Sequence, residues 1–87
     1  MSNILLSETD ARRLSNLFPE LTPKQFQYLF YYSIGLSSER VSCILGCSTK
    51  TVRNQISILK DKLSLTYASD LRVVFITRVI LHRNDHL

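Results

Sequence analysis

The chain has 87 residues, which fits one small domain, and its 45% hydrophobic content excludes a disordered chain. It has two cysteines, no signal-peptide pattern and no apolar run long enough to cross a membrane, so we expect a cytoplasmic protein with reduced thiols. The net charge of +4 suits a polyanionic partner, while two glycines and two prolines leave few turn signals. These features predict an all-α domain with short connections.

The first predicted helix follows a start, residues 1–6, that we expect to be ragged. Ser7 is a suitable N-cap, and acidic residues follow it in the first turn. Pro19 disfavours helical geometry at Phe18, so this helix should end near Leu17.

The second predicted helix begins with a clear signal. Thr22 is the cap, Pro23 occupies the first helical position, and Gln25 has the spacing of a capping box. The pattern predicts a helix over residues 23–34, ended by Gly35. This helix is apolar on all sides, which indicates burial on more than one face.

A helix-turn-helix is predicted at residues 37–65. Its short first helix begins after Ser37 or Ser38 and ends before Gly46. Gly46 can adopt the left-handed conformation that the turn requires, and Ser48 can cap the helix that follows.

The second helix of this unit, predicted over residues 49–63, is amphipathic and basic. Its apolar residues have helical spacing: Val52, Ile56, Leu59 and Leu63. Its basic residues are Lys50, Arg53, Lys60 and Lys62. Residues 48–63 carry a net charge of +3. A basic second helix in a helix-turn-helix is the geometry that enters the major groove of DNA.

The last predicted helix begins at Ser69 or Asp70 and ends at His82. Its β-branched residues would also suit a strand, but its length and the placement of Arg72 and Arg78 favour a helix. Its apolar surface is wider than a small core can cover, so one face is a candidate dimer interface. The predicted interface residues are Val73, Ile76, Thr77 and Ile80.

Five sequence pieces carry a family resemblance. They are LTPKQ at 21–25, Gly35, V-S-x-x-L-G-C-S at 41–48, T-K-T-V-R-N at 49–54 and L-x-x-K-L at 59–63. In order and spacing they resemble the LuxR/FixJ/GerE-type helix-turn-helix DNA-binding domain of bacterial transcription regulators. The resemblance implies a four-helix domain, usually dimeric through its last helix, that reads DNA with its third helix. We therefore expect an all-α chain with an additional N-terminal helix in residues 1–20, the LuxR-type domain at 21–83 and a polar tail at 84–87.

The resemblance also implies which side chains contact DNA. Arg53 would point into the groove, where its guanidinium can bind guanine through two hydrogen bonds. Asn54 would contact bases or phosphate, and Ser57 stands where a longer side chain is common. The helix start and the lysine before Leu63 would contact phosphate. The full predicted set is Thr49, Lys50, Thr51, Arg53, Asn54, Ser57, Lys60 and Lys62. The alternative interpretation is a solvated basic face.

Three positions depart from the family pattern. Gln25 replaces the usual glutamate, which keeps the capping-box geometry but loses a charge. Gln55 replaces the usual histidine or a similar residue. Ser64 replaces a glycine, so we expect a less sharp connection to the last helix.

Phe26 and Phe30 stand where family members carry surface residues. Either the first helix covers them, with Leu14, Leu17 and Phe18, or a partner protein does. We favour the first helix, because its apolar residues otherwise lack a core.

Two further groups of side chains have alternative roles. Tyr28 and Tyr32 could stack on bases, but we expect them in the core. Two cysteines and two histidines, each pair four residues apart, could bind zinc. They are Cys43, Cys47, His82 and His86. The family places a buried apolar residue at Cys47, so we expect Cys47 buried, Cys43 half-exposed, and no metal or other cofactor.

Nothing in the sequence supports catalysis, since it lacks a glycine-rich phosphate loop and clustered carboxylates. We interpret the chain as a sequence-specific transcription regulator of the bacterial cytoplasm that binds double-stranded DNA as a homodimer. One alternative is a protein-interaction module that binds another regulator or RNA polymerase through the last helix or the Phe26/Phe30 face. Another is a promoter-recognition domain like the last region of a sigma factor.

Overall fold

The computed structural model describes residues 7–84, and within them the chain is all-helical. The helices are α1 (Glu8–Ser15), α2 (Pro23–Ser33), α3 (Ser38–Leu45), α4 (Thr49–Lys62) and α5 (Asp70–Asn84). The predicted all-α architecture, with four helices preceded by an additional one, is confirmed. None of the helices in this part of the chain is long and apolar enough to span a membrane. The expected ragged start at 1–6 and residues 85–87 of the expected tail lie outside the described residues.

Side-chain caps determine where the first four helices begin. In each, a hydroxyl accepts a hydrogen bond from the backbone N–H three residues later. The caps are Ser7, Thr22, Ser37 and Ser48, with distances of 3.1, 3.1, 3.2 and 3.1 Å. The predicted capping box is also present, because Oε1 of Gln25 accepts the N–H of Thr22 at 3.0 Å. These contacts are local, which is why the sequence predicts them.

The helix ends differ slightly from prediction. α1 ends at Ser15, ahead of the predicted Leu17, and single turns carry the chain to Phe18. α5 continues to Asn84, two residues past the predicted end at His82. The helix therefore continues beyond Leu81, its last apolar residue.

Within the described part of the chain, residues with positive φ follow three of the helices, beginning with Gly35 at φ 99° after α2. Gly46 has φ 68° after α3, as predicted. Ser64 has φ 58° after α4, and the N–H of Leu65 donates to the carbonyl of Lys60 at 2.9 Å. The connection to α5 therefore keeps the tight turn that glycine would favour, and the expectation of a less sharp connection was wrong. The backbone hydrogen bonds hold the turn even though serine adds a Cβ.

α2 is the central helix and packs against each of the other four. Tyr28 and Tyr31 are buried in the core around it, whereas Tyr32 is only half-buried. The prediction is confirmed for Tyr28, but Tyr31 takes the core position expected for Tyr32. Tyr32 packs against the edge of the core, where Arg72 of α5 lies over its ring, with the guanidinium carbon 4.7 Å from the ring centroid.

An aromatic cluster joins the N-terminal segment to α2 and α5. Phe18 lies 5.7 Å from Phe26 and 5.9 Å from Phe75, measured between ring centroids. Phe30 lies 5.9 Å from Phe75. Leu14 and Leu17 pack against the same core, so the favoured covering by the N-terminal segment is confirmed for Phe26, whereas the ring of Phe30 contacts α5. Phe75 adds to it from α5, a contribution that we did not predict.

This cluster also corrects the predicted protein-binding face. Phe26 is 1% exposed, and Phe30 is half-buried. Phe26 therefore has no surface to offer a partner unless the N-terminal segment moves away.

Candidate nucleic-acid interface

α4 has a buried side that anchors it in the domain. Val52, Ile56 and Leu59 are buried, and Leu63, the C-cap residue, is half-buried. α4 packs against α3 and α2 through this side. The predicted apolar stripe is therefore confirmed, and the opposite side of α4 is available to a ligand.

The predicted DNA-binding residues lie on or beside that opposite side. Lys50, Arg53, Asn54, Ser57 and Lys62 are exposed, whereas Thr49, Thr51 and Lys60 are half-buried. Ser57 is one helical turn from both Arg53 and Asn54, whose own side chains diverge by about 100° around the helix. The exposed side therefore presents a guanidinium and an amide on either side of a hydroxyl, with Lys50 one turn before them.

The first turn of α4 is organised by Ser48. Its Oγ accepts the N–H of Thr51 at 3.1 Å and shares a hydrogen bond with the Thr51 hydroxyl at 3.0 Å. The hydroxyl of Thr51 is thus already partnered within the chain. The first N–H groups of a helix have no acceptor within it, so those of Thr49 and Lys50 point toward the space in which a phosphate would bind.

Lys62 occupies a different environment from the other basic residues. Its ammonium donates to Oε1 of Gln25 at 3.0 Å and approaches the carbonyl of Glu20 at 3.5 Å. It therefore braces the end of α4 against the start of α2. Because Gln25 is neutral where the family usually has glutamate, the positive charge of Lys62 is not cancelled by this partner.

Two residues on the exposed side of α4 were missed by the sequence prediction. Ile58 is 41% exposed, and Asp61 is also exposed. The sequence contains a signal for the exposure of Ile58, since this residue does not have the helical spacing of the buried apolar stripe.

The turn before α4 is held to α2 by a sulfur contact. The hydroxyl of Tyr28 and Sγ of Cys47 are 3.5 Å apart, and this contact, with burial, raises the pKa of Tyr28 to about 12. Cys47 is half-buried rather than buried, and Cys43 is exposed. Within residues 7–84 no group of three or more histidine, cysteine or acidic side chains could hold a metal ion. His86, one of the four candidate zinc ligands, lies outside those residues.

α5 has one face in the core and one on the surface. Leu71 and Phe75 are buried, whereas Val73, Ile76 and Ile80 are each at least 50% exposed. Thr77 is exposed between them. The expectation that α5 is too apolar for the core to cover is confirmed. Leu81, 57% exposed, extends this surface beyond the predicted set.

Three features of this fold define a helix-turn-helix DNA-binding domain. They are a buried scaffold helix, a short helix closed by a left-handed glycine, and a basic helix with one exposed side. A family model described as "Bacterial regulatory proteins, luxR family" matches residues 19–75. The chain belongs to this family, which consists of regulatory DNA-binding proteins rather than enzymes. The match spans α2, α3, α4 and the first part of α5, while α1 precedes it. Neither the curated proteins nor the solved structures contain a significant match to the chain.

Proposed function

We propose that the chain regulates transcription in the bacterial cytoplasm by reading a specific DNA sequence with α4 in the major groove. The observation that carries the proposal is the division of α4 into a buried apolar side and an exposed side with Arg53 and Asn54. The net charge of +3 on residues 48–63 attracts the phosphate backbone to the same side.

In this proposal the exposed side chains have distinct roles. Arg53 donates two hydrogen bonds to guanine O6 and N7, and Asn54 pairs with adenine through its amide. The N–H groups of Thr49 and Lys50 hold a phosphate at the helix start. The remaining predicted contacts are Thr51, Ser57, Lys60 and Lys62. Among them Ser57 is too short to reach far into the groove, so specificity from one subunit is modest.

The proposal includes a homodimer formed through α5. Its exposed apolar residues lie one turn apart along a single face, as a helix-to-helix interface requires. Those apolar residues are Val73, Ile76 and Ile80, and Thr77 lies between them on the same face. A two-fold dimer would present two copies of α4 to half-sites about 10 base pairs apart, so the bound site would be a palindrome. In domain terms, residues 21–83 form the DNA-binding unit and residues 1–20 an extension that supports it.

Selection of bound duplexes from a random DNA pool tests this function. The expected result is an enriched palindrome with a half-site containing guanine. Arg53→Ala should weaken the enrichment and remove the preference for guanine, whereas Arg13→Ala, which removes the same charge from exposed α1, should retain both. A pool without any enriched sequence for the unchanged protein would contradict the proposal.

A second candidate function is supported by the exposed face of α5. Val73, Ile76 and Ile80 could bind another regulator or RNA polymerase instead of a second copy. A salt series distinguishes the candidates. Groove binding with six to ten phosphate contacts loses about 10³–10⁵ in affinity between 50 and 200 mM salt, whereas an apolar protein interface is much less sensitive.

A further inference from the structure

Ile58 is an apolar side chain on the side of α4 that the proposed function assigns to DNA. It is 41% exposed, and it is the one large apolar residue that α4, described throughout its length, leaves at the surface. The other exposed large apolar residues of the described chain lie on α5, at Ile34 and at Tyr67. The core therefore does not account for isoleucine at this position.

The neighbours of Ile58 restrict what it can meet in a groove. Asn54 is one turn earlier on the same side, and side chains on a helix lean toward the preceding turn. Asp61 lies three residues later and is exposed. A carboxylate beside Ile58 disfavours close approach of a phosphate, so this part of α4 suits the base edges rather than the backbone.

The major groove has one apolar feature, the C5-methyl group of thymine. An exposed isoleucine is complementary to this methyl group, since burying the two together removes apolar surface from water. Residues one turn apart on a helix are separated by about 5–6 Å, and base pairs are stacked about 3.4 Å apart. The thymine would thus lie within about two base pairs of the base that Asn54 contacts.

We propose that Ile58 is a specificity-determining residue that contacts a thymine methyl group in each half-site. This inference rests on the proposed function, since it requires α4 to lie in the major groove. It goes further by adding a base contact that needs no hydrogen bond. The thymine contact also compensates for the short side chain of Ser57. Asn54 and Ile58 would then select an adenine and a thymine close together in the half-site.

Deoxyuridine tests the contact directly, because it lacks the methyl group but keeps the hydrogen-bonding edge of thymine. The probe is the duplex enriched by selection, with each half-site thymine replaced in turn. For the unchanged protein, replacement at one thymine should weaken binding about threefold to tenfold, consistent with loss of a buried methyl contact. For Ile58→Ala, the same replacement should have no effect, and its affinity for the unmodified duplex should already be lower by the same factor.

Ile34→Ala is the matched control, since Ile34 is 46% exposed but lies at the end of α2. It should keep the full sensitivity to deoxyuridine. Alanine favours helices, so Ile58→Ala should remain folded, which circular dichroism would establish. Insensitivity of the unchanged protein at every thymine would overturn the inference, as would sensitivity that persists in Ile58→Ala. Both results leave specific binding itself intact, so they are distinct from failure of the proposed function.

Discussion

Arg78 and Glu20 form a bidentate ion pair that joins α5 to the segment before α2. The two guanidinium nitrogens lie 2.8 and 2.7 Å from the two carboxylate oxygens of Glu20. The same guanidinium donates to the carbonyl of Leu17 at 2.8 Å and stacks on Phe18, 4.8 Å from its ring centroid. The pair thus attaches the N-terminal segment to the helix whose other face is the proposed dimer interface.

We expect this pair to make stability depend on acid pH. The hydrogen bonds from Arg78 lower the pKa of Glu20 from 4.5 to about 2. A carboxylate with a lowered folded-state pKa contributes stability above its unfolded-state pKa, and this contribution is lost as pH falls from about 4.5 to about 2. The Glu20 side chain is 38% exposed, so solvent screening reduces the effect to about 1 kcal/mol.

Urea denaturation of Glu20→Gln at pH 7 and pH 3 measures this effect. The variant should lose about 1 kcal/mol of unfolding free energy at pH 7 and less at pH 3. Glu8→Gln is the control, because its exposed pair with Arg12 at 4.0 Å should contribute little. Equal losses for the two variants at pH 7 would show that the Arg78 pair is not the stabilising one.

The backbone conformation of Ser64 leads us to expect a stabilising substitution at this position. Its φ of 58° is the one positive value at a non-glycine position within residues 7–84. Glycine adopts this conformation without the penalty of a Cβ, so Ser64→Gly should raise the unfolding free energy by about 0.5–1 kcal/mol. Ser69→Gly, at a residue without positive φ, should instead be neutral or destabilising in the same denaturation experiment. A loss of stability in Ser64→Gly would refute this explanation of the turn.

Gln25 leaves the positive charge of Lys62 uncancelled, and in the proposed function this charge attracts DNA phosphate. Gln25→Glu would convert the 3.0 Å hydrogen bond into an ion pair. We expect thermal stability to rise slightly. DNA affinity should fall a few-fold, and the slope of log affinity against log salt concentration should decrease by about one phosphate contact. Gln27→Glu adds the same charge on α2 without this contact to Lys62. An equal fall in DNA affinity for both variants would mean that Lys62 has no special role.

The proposed dimer interface on α5 has its own test. Ile76 is 50% exposed in the middle of the face, so Ile76→Glu should place two repelling carboxylates at the centre of a two-fold interface. Sedimentation should then show monomers where the unchanged protein shows dimers. Tyr67→Glu, at a residue 68% exposed in the connection before α5, should leave the dimer intact. Dimers of Ile76→Glu at the same concentrations would exclude this face.

The features that the sequence predicts well are local. The caps at Thr22 and Ser48 and the turn at Gly46 each depend on residues within one helical turn. The burial of Val52, Ile56 and Leu59 follows from helical periodicity alone. The family resemblance extended these local signals to the order of helices in the domain.

Contacts between distant residues were the ones that prediction missed. Arg78 and Glu20 are 58 positions apart, so no local pattern connects them. Phe75 could be recognised as apolar, but its packing against Phe18 requires the position of α5 relative to α2. Likewise, Arg72 lies over the ring of Tyr32 from a position 40 residues away in the chain.

One binding experiment tests the central claim most directly. It compares the affinity for a selected duplex with that for a scrambled duplex of equal composition, across a salt series. We expect tighter binding to the selected duplex and a steep loss of affinity with salt for both. Arg53→Ala should reduce the preference for the selected duplex by about tenfold or more, while leaving the weaker, salt-sensitive binding in place. Equal affinity of the unchanged protein for both duplexes would contradict sequence reading by α4, and a preference unchanged in Arg53→Ala would contradict the role of Arg53.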